Sequence, residues 1–251
     1  MATDNGSVII LGATSGMARA TANEFAKAGH ALVLAAMEEG DNERIAADLR
    51  TRYEVEVTTV TFRADAFDTH PAFVETCIEK AGGAPDGVVL CFGYMTEQAD
   101  AEKDFALARR TIDVCYTGAV SVLEAFAVHF QERKAGFIAA ISSVAGDRGR
   151  QSNYIYGSAK AGLTAYLAGL RNRMFHHGVQ VTTIKPGFVD TAMTHGLDLP
   201  PLLTASPEQA GRAIYRAIVK KRDTTHVLWF WKYIMLIIRS IPEPIFKRMT
   251  M

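Results

Sequence analysis

Short apolar, β-rich runs alternate with helix-like segments along most of this chain, and that alternation is the strongest constraint on its fold. Because parallel strands need long crossover connections, the alternation predicts an α/β fold with a mostly parallel, doubly wound sheet flanked by helices. The strand-like runs lie at Ser7–Leu11, Ala31–Ala36, 55–62, 87–91, Phe137–Ile141, 179–184 and 227–230. Helix-like segments lie at 43–52, 71–80, 97–133 and 154–174.

The length and composition favour a single domain. A chain of 251 residues is comfortable for one α/β domain with a large core. Lysine plus arginine equals aspartate plus glutamate at 27 each, so the overall charge gives no attraction for nucleic acid. The three cysteines form no CxxC pair and residues 1–6 carry no secretory signal, so we predict no metal site and a cytoplasmic location.

A glycine-rich turn joins the first strand-like run to a helix-like stretch. Gly12 allows a tight turn, and Gly16 lets backbone N–H groups approach a pyrophosphate at the positive end of the helix. Thr14 and Ser15 can add hydroxyl donors. An ordinary strand–helix turn has a similar sequence, but the strand before the glycines favours phosphate binding.

The second strand-like run ends without the side chain that would select between NAD and NADP. An acid for the ribose or a base for the 2′-phosphate is expected there, but Met37 and Glu38 follow Ala36. Glu38 is either a ribose ligand or an exposed loop carboxylate, so the choice stays open. Asp65, after the third run, is either an acceptor for the adenine amino group or a helix cap.

A serine, a tyrosine and a lysine form the candidate catalytic set. Tyr156 and Lys160 are four residues apart in a predicted helix, so the phenol and the ammonium share a face. A nearby cation lowers a phenol pKa from its usual value of about 10, which suits proton transfer at a carbonyl or alcohol oxygen. Ser143 follows the strand Phe137–Ile141 and can hydrogen-bond the same oxygen.

In their order and spacing, these motifs resemble the short-chain dehydrogenase/reductase family over nearly the whole chain. The resemblance implies a Rossmann-like fold, NAD or NADP as cofactor, Tyr156 as the acid/base, Ser143 as the polarising hydroxyl and Lys160 as a holder of the nicotinamide ribose. The cofactor contacts that it implies are Gly12, Thr14, Ser15, Gly16, Met17, Asp65, Gly93, Tyr156, Lys160, Pro186, Gly187 and Thr191.

The chain departs from the family pattern at two positions of the site. Ala18 replaces the third glycine of the loop, a small change that should still allow helix packing. Cys115 stands where many members carry the asparagine of a proton relay. A thiol is a poor substitute for that amide, which puts the usual relay in doubt.

Three segments resemble one branch of the family, which contains decaprenylphosphoryl-2-keto-ribose reductase. They are residues 146–150, 186–191 and 232–247. The similarity implies a small-molecule substrate of the lipid-phosphate sugar type. A soluble ketone or an acyl-carrier keto group is the first alternative, and a non-catalytic NAD(P)-sensing regulatory or scaffold protein is the alternative of another class.

Arg148 and Arg150 lie between Ser143 and Tyr156, so their connection must pass near the site. Two guanidinium groups there could hold a phosphate in a forked geometry. In the alternative interpretation they are solvated, or pair with Asp147 or a neighbouring subunit. A later loop, which runs to about residue 206, forms either a substrate lid or an ordinary surface loop. Its apolar and titratable residues are Met193, His195, Leu197 and Leu199.

The carboxyl-terminal tail is apolar at 231–238 but shorter than the roughly 20 residues that cross a bilayer. Its interleaved basic and aromatic residues predict either a helix at the membrane interface or, as the family resemblance suggests, a homodimer or homotetramer interface. We assign 1–225 to the NAD(P)-binding part with the catalytic set, and 226–251 to the last strand and tail of the same domain. The location is then cytoplasmic, with peripheral contact at the inner face of the membrane as the added expectation.

Overall fold

Seven parallel strands form the central sheet of the computed structural model, which describes residues 6–196 and 198–250. The strands of this part of the chain are β1 (Ser7–Leu11), β2 (Ala31–Ala36), β3 (Val57–Thr61), β4 (Gly87–Leu90), β5 (Phe137–Ile141), β6 (Gln180–Lys185), β7 (Phe188–Val189), β8 (Thr204–Ala205) and β9 (Thr224–His226). The central sheet has the order β3-β2-β1-β4-β5-β6-β9, and β7 pairs with β8 separately. This topology confirms the predicted doubly wound α/β class.

Helices cover both faces of the sheet. They are α1 (Gly16–Lys27), α2 (Glu39–Tyr53), α3 (His70–Lys80), α4 (Gln98–Lys103), α5 (Phe105–Ile112), α6 (Gly118–Arg133), α7 (Tyr154–Phe175), α8 (Pro207–Val219), α9 (Trp231–Ser240) and α10 (Glu243–Phe246). Val8 and Ile10 pack in a core with α1, α2 and α8, whereas Ile9 and Leu11 pack in a second core with α3, α6 and α7. The division follows from strand geometry, because successive side chains point to opposite faces.

The long helical segment Phe105–Arg133 is apolar and long enough to cross a membrane by length and composition. Leu123, Phe126 and Phe130 of α6 are nevertheless fully buried against the sheet. The segment is therefore a core helix of this domain.

Two predicted elements differ from the structure. The helix predicted at 97–133 is broken at Asp104, whose side chain accepts a hydrogen bond from the Ala106 N–H at 2.8 Å and begins α5. The last strand predicted at 227–230 is wrong, since β9 lies at Thr224–His226 beside the end of β6. The apolar residues that suggested a strand instead pack inward: Val227 and Leu228 join the core of α1, α2 and α8, and Phe230 packs beside α9.

The loop predicted as a lid or a surface segment contains two short 3-10 turns, Ala192–Thr194 and Pro201–Leu203. Met193 lines the cavities described below, which places this part of the loop over the site. Residues 1–5, Leu197 and Met251 lie outside the described residues.

Candidate active site

The site lies at the carboxyl edge of the sheet, where the chain leaves four neighbouring strands. Gly12 follows β1, Cys91 follows β4, Ser142 follows β5 and Pro186 follows β6. β1 and β4 are adjacent, but the order of the strands reverses between them. Open α/β sheets bind ligands in the crevice at this kind of switch point.

One cavity, the glycine-loop cavity, has a volume of about 390 Å³ and lies beside the turn between β1 and α1. Gly12 has a φ of +77°, and a Cβ there would lie 2.8 Å from Phe92, so the turn needs glycine. Ser15 caps α1 by accepting from the Ala18 N–H at 3.3 Å. The cofactor residues predicted from the family that line it are Gly12, Thr14, Ser15, Gly16, Met17, Asp65, Gly93 and Thr191.

The chemistry of this cavity fits a dinucleotide. The N-terminus of α1 and the hydroxyls of Thr14 and Ser15 offer donors to a pyrophosphate. Glu38 accepts from the Thr14 hydroxyl at 3.2 Å, and Asp65 pairs with Arg63 at 3.4 Å on the rim. Both carboxylates are therefore within the cavity lining, where the sequence placed a ribose ligand and an adenine acceptor.

A second cavity, the tyrosine cavity, has a volume of about 380 Å³ and contains Ser143, Tyr156 and Lys160 in its wall. Pro186 and Gly187, predicted to lie beside the nicotinamide, also line it. The two cavities share a wall, so a ligand in one can meet a ligand in the other. The shared residues are Met17, Cys91, Phe92, Gly93, Thr191 and Met193.

β5 and α7 hold the catalytic set in place. The Ser142 hydroxyl donates to the Lys160 carbonyl at 2.9 Å, which fastens the end of the strand to the first turns of the helix. Lys160 is 2 % exposed, and its Nζ donates to the Ile141 carbonyl at 2.8 Å. The same Nζ lies 5.8 Å from the centre of the Tyr156 ring. The Ser143 hydroxyl accepts from the Ala145 N–H at 3.0 Å.

The electrostatics differ from the expectation that Lys160 lowers the tyrosine pKa. Burial raises the pKa of Tyr156, the nearby Cys115 thiol adds to the increase, and a hydrogen bond from Ser143 acts in the opposite direction. Burial also lowers the pKa of Lys160. The desolvation of two buried groups outweighs their attraction, so the phenol is held in its protonated form, as a proton donor to a carbonyl requires.

Cys115 lies in a wide, π-helical turn, Asp113–Thr117, between α5 and α6. Gly118 donates its N–H to the Asp113 carbonyl five residues earlier, which widens the helix at this point. The thiol accepts from the Tyr94 N–H at 3.2 Å and donates to the Tyr94 carbonyl at 3.1 Å. Cys115 therefore fixes the backbone after β4, beside the wall shared by the two cavities.

The two arginines predicted to hold a phosphate have different environments. Arg148 donates to the carbonyls of Ile238 and Ile241, each at 2.6 Å, and its guanidinium lies 3.6 Å from the centre of the Phe246 ring. It also pairs with Glu243 at 2.9 Å. These contacts hold the C-terminal end of α9, so the predicted phosphate role of Arg148 is corrected to a structural one.

Arg150 lines the tyrosine cavity. Its Nε is buried and has no hydrogen-bond partner among the described residues, and burial lowers the pKa of its guanidinium. Asp147, the other partner considered for it, instead accepts from the ammonium of Lys185. Asn153 lines the same cavity and has a buried Oδ1 without a partner in the described chain. The cavity wall thus offers one unpaired donor and one unpaired acceptor.

Sequence reasoning missed two residues of this wall. Asn153 gave no signal beyond its position three residues before Tyr156. Trp231 was considered only as part of the tail, yet it lines the tyrosine cavity and donates its Nε1–H to the Leu203 carbonyl at 3.2 Å. The dipeptide Pro186-Gly187 contained a usable signal, because a Cβ at Gly187 would overlap the Trp231 indole.

Comparison with known proteins agrees with this geometry. A family model described as short chain dehydrogenase matches residues 7–200. The chain belongs to this family. An uncharacterised oxidoreductase of Mycobacterium tuberculosis is 35% identical over 243 residues, 96% of each chain. Sulfoacetaldehyde reductase 2 of Chromohalobacter salexigens is 31% identical over 218 residues, 83% of this chain and 80% of the relative.

Solved structures share the fold. The actinorhodin polyketide ketoreductase with NADPH has a TM-score of 0.81 at 22% identity, and the match covers 92% of this chain and 99% of that one. A short-chain dehydrogenase from Sphingobium yanoikuyae in complex with NADPH has a TM-score of 0.80 at 20% identity, with 95% and 97% covered. Membership of the short-chain dehydrogenase family makes this protein an NAD(P)-dependent oxidoreductase, which also disfavours the non-catalytic alternative.

Proposed function

We propose that the protein reduces a carbonyl group held in the tyrosine cavity, with Tyr156 as the proton donor and Ser143 as a second hydrogen-bond donor to the same oxygen. The supporting observation is the position of the protonated Tyr156 phenol in a cavity that shares a wall with the glycine-loop cavity. NAD(P)H supplies the hydride when bound. Lys160, held by the Ile141 carbonyl, stabilises negative charge that forms on the phenol.

Replacement of Tyr156 by phenylalanine tests the acid role. The change removes one oxygen and keeps the ring, so the dissociation constant of NAD(P)H should stay within about twofold. Since general acid catalysis contributes about 10²- to 10⁴-fold, kcat should decrease by at least about 100-fold. A kcat within a few fold of the parent enzyme would remove Tyr156 from this role.

The substrate that we propose carries an anionic group bound by Arg150. An unpaired guanidinium in the lining of a largely apolar cavity is stabilised when an anion binds, and its planar donors suit a phosphate or a sulfonate. The unpaired Asn153 oxygen can accept from a hydroxyl of the same ligand. A keto-sugar on a polyprenyl phosphate combines these groups with an apolar chain and is our first candidate.

A small anionic aldehyde is the second candidate, because one relative at 31% identity is named a sulfoacetaldehyde reductase. A soluble neutral ketone and an acyl-carrier keto group are the remaining alternatives. Oxidation of NADH and of NADPH, measured with each substrate in turn, ranks the candidates and also decides the cofactor. We further propose a homodimer or homotetramer, which light scattering measures directly.

The variant Arg150→Gln tests the anion site, and Arg44→Gln is its control because Arg44 lies on the far surface of α2 in an exposed pair with Asp41. Loss of a charge-assisted hydrogen bond is worth about 1.5–3 kcal/mol, so KM for an anionic substrate should rise about 10- to 100-fold. KM for a neutral ketone should not change. An equal rise for both substrates would contradict the anion site but leave the role of Tyr156 intact.

A further inference from the structure

Helix α9 has two apolar faces, and one of them forms a wall of the active site. Trp231 and Met235 are buried and pack with Val144, which directly follows the catalytic Ser143, while Phe188 meets the Trp231 ring edge-to-face with centres 5.3 Å apart. The inner face of α9 is therefore part of the substrate-binding region.

The outer face of α9 is apolar and exposed. Tyr233, Leu236 and Ile237 have the i, i+3, i+4 spacing of one helix face, and Leu236 and Ile237 are 61% and 66% exposed. Trp229, just before the helix, is 73% exposed and packs edge-to-face on Tyr233 with ring centres 5.9 Å apart. We call these four residues the outer face; a polar solvent does not explain such a cluster.

The charges around the outer face are mostly positive. Residues 229–250 contain four cations and one carboxylate, although the whole chain is neutral, with 27 of each sign. The carboxylate, Glu243, already pairs with Arg148. The four cations are exposed and lie at Lys232, Arg239, Lys247 and Arg248.

This combination favours a lipid surface over a second copy of the chain. A symmetric contact between two copies would place the basic rims of two outer faces near each other, where like charges repel. Anionic headgroups instead attract the rim, and tryptophan and tyrosine are suited to the boundary between headgroups and acyl chains. The four outer-face side chains match the composition of helices that lie in the membrane interface.

We propose that the outer face of α9 docks on an anionic phospholipid bilayer and brings the tyrosine cavity to the membrane surface. Arg148 couples the two regions, because it joins the loop after the catalytic Ser143 to the carbonyls of Ile238 and Ile241 at the end of α9. Trp231 lies between the lipid-facing side of the helix and the cavity. An amphiphilic substrate would then reach the cavity without leaving the bilayer, which rests on the substrate proposed above.

Vesicle flotation of the full chain tests the proposal. The vesicles are phosphatidylcholine alone and phosphatidylcholine mixed with phosphatidylglycerol. The test variant changes Trp229, Tyr233, Leu236 and Ile237 to serine. The control variant changes Phe175 and Val219, exposed apolar residues at the ends of α7 and α8, to serine. The parent and the control should float with the anionic vesicles, and the test variant should lose at least about tenfold in partition.

Three measurements give the experiment its power. Circular dichroism and kcat on a soluble ketone should be the same in all three proteins, so that a loss of flotation is separated from a loss of fold or of the reductase activity. Equal flotation of the test variant and the parent, or no flotation of the parent on anionic vesicles, would overturn the proposal. A lower molar mass of the test variant in light scattering, without a change in flotation, would assign the outer face to a second copy.

Discussion

Replacing Arg148 by alanine should loosen α9 without touching the proton-transfer groups. The side chain is 14% exposed and donates two short hydrogen bonds, to the carbonyls of Ile238 and Ile241. Hydrogen bonds from a charged donor are worth about 1.5–3 kcal/mol each, so their loss costs about 3–5 kcal/mol. The pair with Glu243 adds less than about 1 kcal/mol, because that carboxylate is 74% exposed.

Both tryptophans of the chain, Trp229 and Trp231, stand at the start of α9, so fluorescence reports directly on this helix. Urea unfolding of Arg148→Ala should show α9 melting earlier than the far-ultraviolet signal of the sheet. Hydrogen exchange of the α9 amides should accelerate by about 100-fold, the ratio that corresponds to about 3 kcal/mol. If the whole domain unfolds as one unit, the same free energy lowers Tm by about 6–12 °C.

Arg150→Ala is the matched control, since its Nε makes no hydrogen bond within the described residues. It should change stability by less than about 1 kcal/mol while it weakens anionic substrates. Equal destabilisation by the two variants would refute the division of roles between the arginines. So would an Arg148→Ala protein whose α9 exchanges at the parent rate.

Two further predictions concern the reaction and the cavity wall. Because burial raises the pKa of Tyr156, the phenol stays protonated through neutral and moderately alkaline pH, so kcat for reduction should be nearly constant from about pH 6 to 9, whereas kcat for oxidation should rise with pH; a tenfold fall in reduction per pH unit above neutrality would contradict this. Gly187→Ala places a methyl group against the Trp231 indole, so it should cost about 1–3 kcal/mol and shift the tryptophan emission, and an unchanged spectrum and Tm would contradict the close contact.

The sequence predicted the parts of this protein that depend on local spacing. β1, β2 and β5 begin and end where the apolar runs do, because each run is bounded by turn or loop residues. The glycine turn and the Tyr156–Lys160 pair were also accessible, since a strand end and one helical turn determine their neighbours. Parallel strands then bring these elements to the same edge of the sheet without further information.

Contacts between distant parts of the chain were beyond the reach of the sequence. Arg148 and Arg150 look equivalent two residues apart, but the partners of Arg148 lie about 90 residues later, in α9. The tyrosine pKa was wrong for a related reason. Helical spacing gives the approach of Lys160, whereas the desolvation that dominates depends on everything packed around Tyr156.

The division of labour within the site follows from how each part is held. Ser143 and Lys160 are fixed by the end of β5 and by α7, whose backbone bonds belong to the core of the domain. The substrate wall depends instead on α9, which is fastened by Arg148 and by the contact of Trp231 with Gly187. Changes in α9 can therefore alter which carbonyl compound enters while the proton-transfer geometry stays constant. This arrangement predicts that substrate range and membrane contact vary together, because both are properties of the same helix.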